Sequence, residues 1–221
     1  MDDAEFDRAL IAAAFEQMAQ RGWARLAIAD AARAAGLPLD RARLRFPGRG
    51  ALLLKFGRLA DQAALAEATF EGSARDRLFG MLMRRIDVLQ AHRGGVLALF
   101  AAVPGDPLLA VVLAGTNLRS MAWMLQAAGV STAGAAGTLR AQALVGIWLW
   151  TLRSWRDDAS PDLAQTMATL DYALLWAERW SRWLGGTGAA SEDAAPPDPE
   201  PPFPEEPPAA PELPGTAPIV M

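Results

Sequence analysis

Residues 10–53 read LIAAAFEQMAQRGWARLAIADAARAAGLPLDRARLRFPGRGALL, and the breaks in this stretch decide the fold. Phe6, Leu10, Ala13, Ala14, Phe15 and Met18 recur at helical spacing through residues 5–20, and Gly22 ends the run. Residues 27–35 make a second, short helix with Ile28, Ala31, Ala32 and Ala35 on one side, stopped by Gly36. Leu37 and Pro38 form a turn, Asp40 is placed to cap a third short helix through Arg45, and Phe46-Pro47-Gly48 stops that one. Three short helices with a glycine in the second turn have the layout of a helix-turn-helix unit. A longer helix over residues 50–70 leads away from it.

The rest of the pattern is also helical. Leu78, Leu82, Ile86 and Leu89 form a stripe over 75–92, opposite Arg84 and Arg85. Further helices are expected over 95–103, over 107–128 through Leu109, Val112, Leu113, Met121 and Leu125, and over 136–156, where ALVGIWLW is apolar all round. A ninth opens at Ser160-Pro161-Asp162, a cap, a helix-starting proline and a dipole-complementing acid, and runs to Leu184. The expected fold is therefore all-α, about nine helices, with a head over 1–48 and a body over 49–186. Residues 187–221 hold 11 of the 16 prolines and are expected to be a disordered acidic tail.

Composition removes several classes of function. With 52% hydrophobic residues in 221, the chain can bury a sizeable core. No cysteine means no disulfide framework, thiolate metal site or cysteine nucleophile. His92 is the sole histidine and reads as a helix-end dipole partner or a surface residue. No metal-ligand spacing, phosphate loop or nucleophile elbow is present, so no metal, no cofactor and no enzymatic activity are expected. The acidic start MDDAEFDRAL lacks the pattern of a secretory signal, which points to the cytoplasm. The apolar stretch 95–115 is cut at Pro104-Gly105-Asp106-Pro107 and reads as two buried helices joined by a turn.

Charge is uneven under a net −4: residues 21–60 carry nine Lys/Arg against Asp30 and Asp40, whereas residues 190–221 carry seven acids and no base. A basic segment beside a neutral body suggests a local polyanion contact. At helical spacing Arg41 and Arg45 share a side, Arg49 follows just beyond the helix end, and Arg43 turns about 200° away. Arg41, Arg45 and Arg49 are the leading candidates for DNA contact, with Arg43, Arg25 and Arg33 as weaker ones.

Seven of the eight tryptophans lie beyond residue 120. On the last helix Leu163, Met167, Leu170, Leu174 and Ala177 share one face, and Tyr172, Trp176, Trp180 and Trp183 cluster opposite. A second copy of the chain would cover that aromatic face together with Val145, Leu149 and Leu152; insertion at a membrane surface is the competing cover. Phe100, Leu118, Met121, Trp123, Met124, Leu144 and Trp148 converge as ordinary core or as an adaptable apolar ligand pocket, with Asn117, Arg119, Gln126 and His92 as polar handles.

The stretch quoted first resembles the N-terminal domain of the TetR family of bacterial transcription regulators in Ala13-Ala14, Gly22-Trp23, Ile28, Ala32, Ala35-Gly36-Leu37, Phe46-Pro47 and Ala51-Leu52. That resemblance implies a homodimer whose head binds operator DNA and whose body binds a small apolar ligand. Where the family usually has a serine or threonine, a tyrosine, a histidine and a lysine, this chain has Pro38, Arg43, Arg45 and Arg49. The C-terminal half is also similar to the TetR-fold, lipid-binding accessory proteins of ubiquinone biosynthesis, through Arg140, Leu144, Ile147-Trp148, Asp158-Ala159-Ser160-Pro161-Asp162, Thr166 and Leu170-Asp171. That second resemblance implies bound lipid, peripheral membrane contact and no DNA binding.

Overall fold

Helix α1, Asp3–Arg21, has both ends written into the sequence. Asp2 and Glu5 close a capping box at its start, and Gly22, at φ 78°, supplies the left-handed turn that ends it. A 3-10 turn, Trp23–Arg25, leads to α2, Ile28–Ala34, and α3, Leu39–Arg45. Gly36, at φ 64°, makes the turn between α2 and α3, where the Leu37 amide donates to the Ala32 carbonyl at 2.8 Å. Pro38 occupies the N-cap position of α3 with no side-chain cap. Asp40 is therefore not the cap that was expected; it sits inside the first turn and only complements the helix dipole.

The coordinates are a computed structural model that describes residues 1–66 and 71–185, with side chains through Arg179. The helix expected over 50–70 is α4, Arg49–Ala66, and its last four expected positions lie outside the described residues. The body continues with α5, Ala74–Ala91, α6, Arg93–Ala102, α7, Pro107–Ala127, α8, Gly134–Asp157, and α9, Ala164–Gly185. A 3-10 turn at Val103–Gly105 joins α6 to α7, as the proline break implied. Residues Met1–Leu184 form one compact unit, and the acidic tail expected over 187–221 lies outside the described residues.

Two starts differ from expectation. Ser73, not predicted as a cap, forms a capping box with Asp76 at the head of α5. Ser160-Pro161-Asp162 does not open α9: it is a turn, followed by Leu163 at φ 54°, and the helix begins at Ala164. Asp158 organises this corner, accepting from Ser160 N at 3.0 Å, Thr166 N at 2.8 Å and Thr166 Oγ1 at 2.7 Å. Burial alone would raise its carboxyl, but the hydrogen bonds from Ser160 and Thr166 outweigh that and hold it far below the usual carboxylate range.

The core runs without interruption from head to body, from Phe6, Phe15 and Met18 to Met81, Ile86, Trp148 and Trp155. At the crossing of α1 and α6 the backbones approach closely, and a Cβ on Gly95 would lie 2.4 Å from the Phe15 carbonyl oxygen. Backbone cannot yield there as a flexible side chain would. Gly95→Ala is expected to destabilise the fold by about 1–3 kcal/mol through overpacking, read as a lower urea midpoint at unchanged m-value.

His92 ends α5 and precedes α6, and its ring lies half-buried, 5.5 Å from Phe15 and 5.7 Å from Phe56. It is thus a joint between elements rather than a surface residue. Burial pushes the imidazole below its ordinary pKa, so the folded state disfavours the proton. As pH falls through the unfolded value of about 6.5, the unfolded chain binds the proton first and stability declines toward the lower folded value. Urea unfolding followed from about pH 7 to pH 5 should show this decline in the wild type, and His92→Gln should flatten it.

Candidate nucleic-acid interface

Two of the arginines expected to face DNA, Arg41 and Arg45, pair with the protein's own first helix. Asp3 and Asp7 are one helical turn apart on α1, Arg41 and Arg45 one turn apart on α3, and the two pairs meet as rungs. Arg41 bonds Asp3 Oδ1 at 2.5 Å, and Arg45 bonds Asp3 Oδ2 at 2.5 Å and Asp7 Oδ1 at 2.6 Å. Lys55 from α4 completes the cluster, 2.5 Å from Asp7 Oδ2 and over the Phe46 ring. Burial alone would raise the Asp7 carboxyl, but hydrogen bonds from Arg45 and Lys55 hold it below its ordinary value. The hydrogen bond from Arg41 does the same for Asp3. Asp7 in turn holds the Arg45 guanidinium above its already high range.

Arg49 is exposed and folds back over the 3-10 turn: its guanidinium lies over the Trp23 ring and donates to the Trp23 carbonyl at 3.0 Å. What α3 presents outward is Leu39, Asp40, Arg43 and Leu44, the last 83% exposed. Within the head, Ala42 and Phe46 anchor α3 in the core, Arg41 and Arg45 flank that anchor against α1, and Arg43 stands on the free edge. Arg43 is exposed and donates to the Pro47 carbonyl at 2.8 Å. Arg25 is exposed in the 3-10 turn, and Arg33 is exposed while paired with Asp30 at 2.6 Å.

In the body, Met121, Met124, Leu144 and Trp148 are closed core, with Phe100 partly buried beside them. Trp123, at 60% exposure, and Leu118 point away from this group. Of the expected polar handles, Asn117 bonds back to the Leu113 carbonyl, Gln126 bonds Thr132, and Arg119 is exposed. One charged group that enters the core gave no signal in the sequence. Arg85, expected opposite the apolar stripe, is only 6% exposed. It pairs with Asp61, lies 5.2 Å from the centre of the Trp148 ring, and leaves its Nε buried without a partner. Ser120 donates to the second Asp61 oxygen at 2.6 Å.

The end of the body carries an uncovered apolar face on α8 and α9. Leu139, Leu149, at 55% exposure, Trp150 and Tyr172 are exposed on it. Trp150, Tyr172 and Trp176 form a chain of edge-to-face rings at 6.1 and 6.2 Å. Val145 is half-buried, and Leu152 is covered by its own chain instead of lying on that face. Met167, expected inward, is exposed, because Thr166, Leu170, Ala173 and Leu174 take the inner face of α9. The side chains of Trp180 and Trp183 lie outside the described ones. A second exposed apolar row runs along α7 through Leu108, at 74% exposure, Val111 and Leu118.

No family model matches the chain, and no curated protein does. Solved structures do. The chain is similar to a TetR transcriptional regulator from Nitrosomonas europaea at 23% identity and a TM-score of 0.64, over 78% of this chain and 98% of that one. A TetR-family transcriptional regulator from Streptomyces coelicolor aligns at 20% identity and a TM-score of 0.56, over 85% and 87%. A TetR transcriptional regulator from Rhodococcus sp. aligns at 18% identity and a TM-score of 0.57, over 79% and 97%. The chain has the TetR fold.

Proposed function

We propose that the protein is a DNA-binding regulator that works as a homodimer and responds to an apolar ligand in its body. The observation carrying this reading is the set of α3, which the Gly36 turn holds against α2 while Arg43 and Leu44 stay free of the core. A helix so mounted can enter a major groove, with Arg43 on a phosphate or base edge and Leu44 against a thymine methyl. Arg25 and Arg33 flank it as phosphate contacts. Arg41 and Arg45 serve first to hold α3 on α1 and reach phosphate only by giving up Asp3.

The α8–α9 face supplies the second copy with its docking surface, since exposed aromatics beside exposed leucines are the composition of an interface centre. Two heads then address two half-sites, and an apolar ligand that opens the packed group of Met121, Met124, Leu144 and Trp148 shifts the population between two head spacings. Leu149→Asp places a charge in that interface without touching the head. Light scattering should report a monomer, and retention of duplex DNA should fall by about an order of magnitude or more as the second half-site is lost. A Leu149→Asp chain that remains dimeric would remove this face from the interface.

A lipid-binding accessory role is the second reading, favoured by the exposed α7 row and by the pairing of Arg41 and Arg45 within the chain. It predicts lipid retained through purification and visible by native mass spectrometry, with no sequence preference on DNA.

A further inference from the structure

A half-open cavity of about 250 Å³ lies where the head meets the body, and none of Met121, Met124, Leu144 or Trp148 lines it. Trp23, Leu53 and Leu109 give it a buried apolar wall, and Arg49, Gly50 and Asp106 stand at its polar side. The two charges there are not equivalent. Asp106 is fully committed: Oδ1 accepts from the Leu109 amide at 3.0 Å and Oδ2 from the Trp23 indole at 3.1 Å, fixing the start of α7 to the 3-10 turn. Arg49 is half committed: Nη1 donates to the Trp23 and Ala24 carbonyls at 3.0 and 3.4 Å, while Nε and Nη2 bond no described residue. That free edge is the one a guanidinium uses for two parallel bonds to a carboxylate.

We infer that this cavity binds a small apolar monocarboxylate, its carboxylate on the Nε–Nη2 edge of Arg49 and its hydrocarbon against Trp23, Leu53 and Leu109. The volume lies below the range of drug-sized pockets and suits a single ring or a short branched chain. The nearby Asp106 carboxylate, which the Arg49 charge already stabilises, opposes negative charge in the cavity, so a ligand with one carboxylate is favoured over one with two. Occupancy bears on the head directly, because Arg49 opens α4 just after α3, whereas Asp106 and Leu109 open α7. That regulatory consequence rests on the proposed DNA-binding function; the binding itself does not.

Phenylacetate is the probe, added to the full chain without DNA and followed by calorimetry and saturation-transfer NMR. Arg49→Gln removes the anion contact. Gly50→Leu fills the cavity from its rim, at a position where an added Cβ meets nothing within 4 Å. Saturable binding at one site per chain, at least tenfold weaker in both variants and absent for phenylacetamide, is the expected result. Absence of saturable binding, equal binding by the amide, or unchanged affinity in Gly50→Leu with its circular dichroism intact would overturn the inference. Since no DNA is present, failure of the regulator reading would leave this result untouched.

Discussion

Asp61→Ala is expected to destabilise the protein by roughly 3–5 kcal/mol, a large share of the total stability of a domain this size. The reason is the residue it abandons. Arg85 is buried against Trp148 with Asp61 as its ion-pair partner, and a guanidinium cannot escape by losing its proton. Burial does press its pKa downward while Asp61 pulls it back up, so removing the acid leaves only the desolvation cost. Ser120 loses its acceptor as well. Asp61→Asn, which keeps one carbonyl oxygen for Arg85 and can turn its amide NH2 toward the Ser120 hydroxyl as acceptor, should cost less, and the paired change Asp61→Leu with Arg85→Met should recover most of the loss, because apolar replacements of a buried ion pair are often neutral or better. Urea unfolding of the four chains measures all of this. A cost for Asp61→Ala below about 1 kcal/mol would mean that the guanidinium is solvated and that the pair is an ordinary surface one.

Asp3→Ala should act in the opposite sense on function, tightening duplex binding by about an order of magnitude at low salt and steepening the salt dependence by about one unit of log–log slope. Asp3 is an exposed acid beside the helix proposed to enter the groove; its loss removes the ion-pair partner of Arg41 and a charge that repels phosphate. Arg45 stays docked through Asp7, so α3 keeps its mount. Arg41→Ala in the wild-type background should change affinity little, since its charge is already spent on Asp3, and should cost much more when Asp3 is absent. Arg43→Ala should weaken binding in both backgrounds and lower the slope by about one. Fluorescence anisotropy on a labelled duplex, from about 50 to 200 mM salt, separates these outcomes. Equal effects of Arg41→Ala with and without Asp3 would show that the ion pair does not limit the head.

The helix boundaries were legible wherever one residue decides them. Gly22 and Gly36 adopt positive φ, and Phe46 and Pro47 stop α3, each where the sequence placed a break. What could not be read was which way a charge points when its partner is remote in sequence. Four arginines in nine positions looked like a surface for phosphate, yet Asp3 and Asp7 lie nearly forty residues away, and only the packing of α1 beside α3 brings them together. The one-turn spacing of the two acids matches that of the two arginines in the sequence itself. Arg85 is a similar case: the apolar stripe on α5 was correct, but Arg84 and Arg85 are about 100° apart on a helix and do not share a face. On α7 the buried residues Met121, Met124 and Leu125, continued by its cap Ala128, keep helical spacing, and Leu118 and Trp123 fall outside it. The Leu163 backbone had no such signal, since a left-handed leucine follows from the hydrogen bonds around Asp158 and not from its own preference.

The most direct measurement is a selection of duplexes from a randomised DNA library by the full-length chain, with sequencing of what is retained at rising salt. A DNA-binding homodimer should enrich two inverted half-sites about one helical turn apart or a multiple of it, with the Arg43→Ala chain losing the enrichment. A retained pool indistinguishable from the starting library, at a salt concentration where the protein is folded and dimeric, would contradict the account.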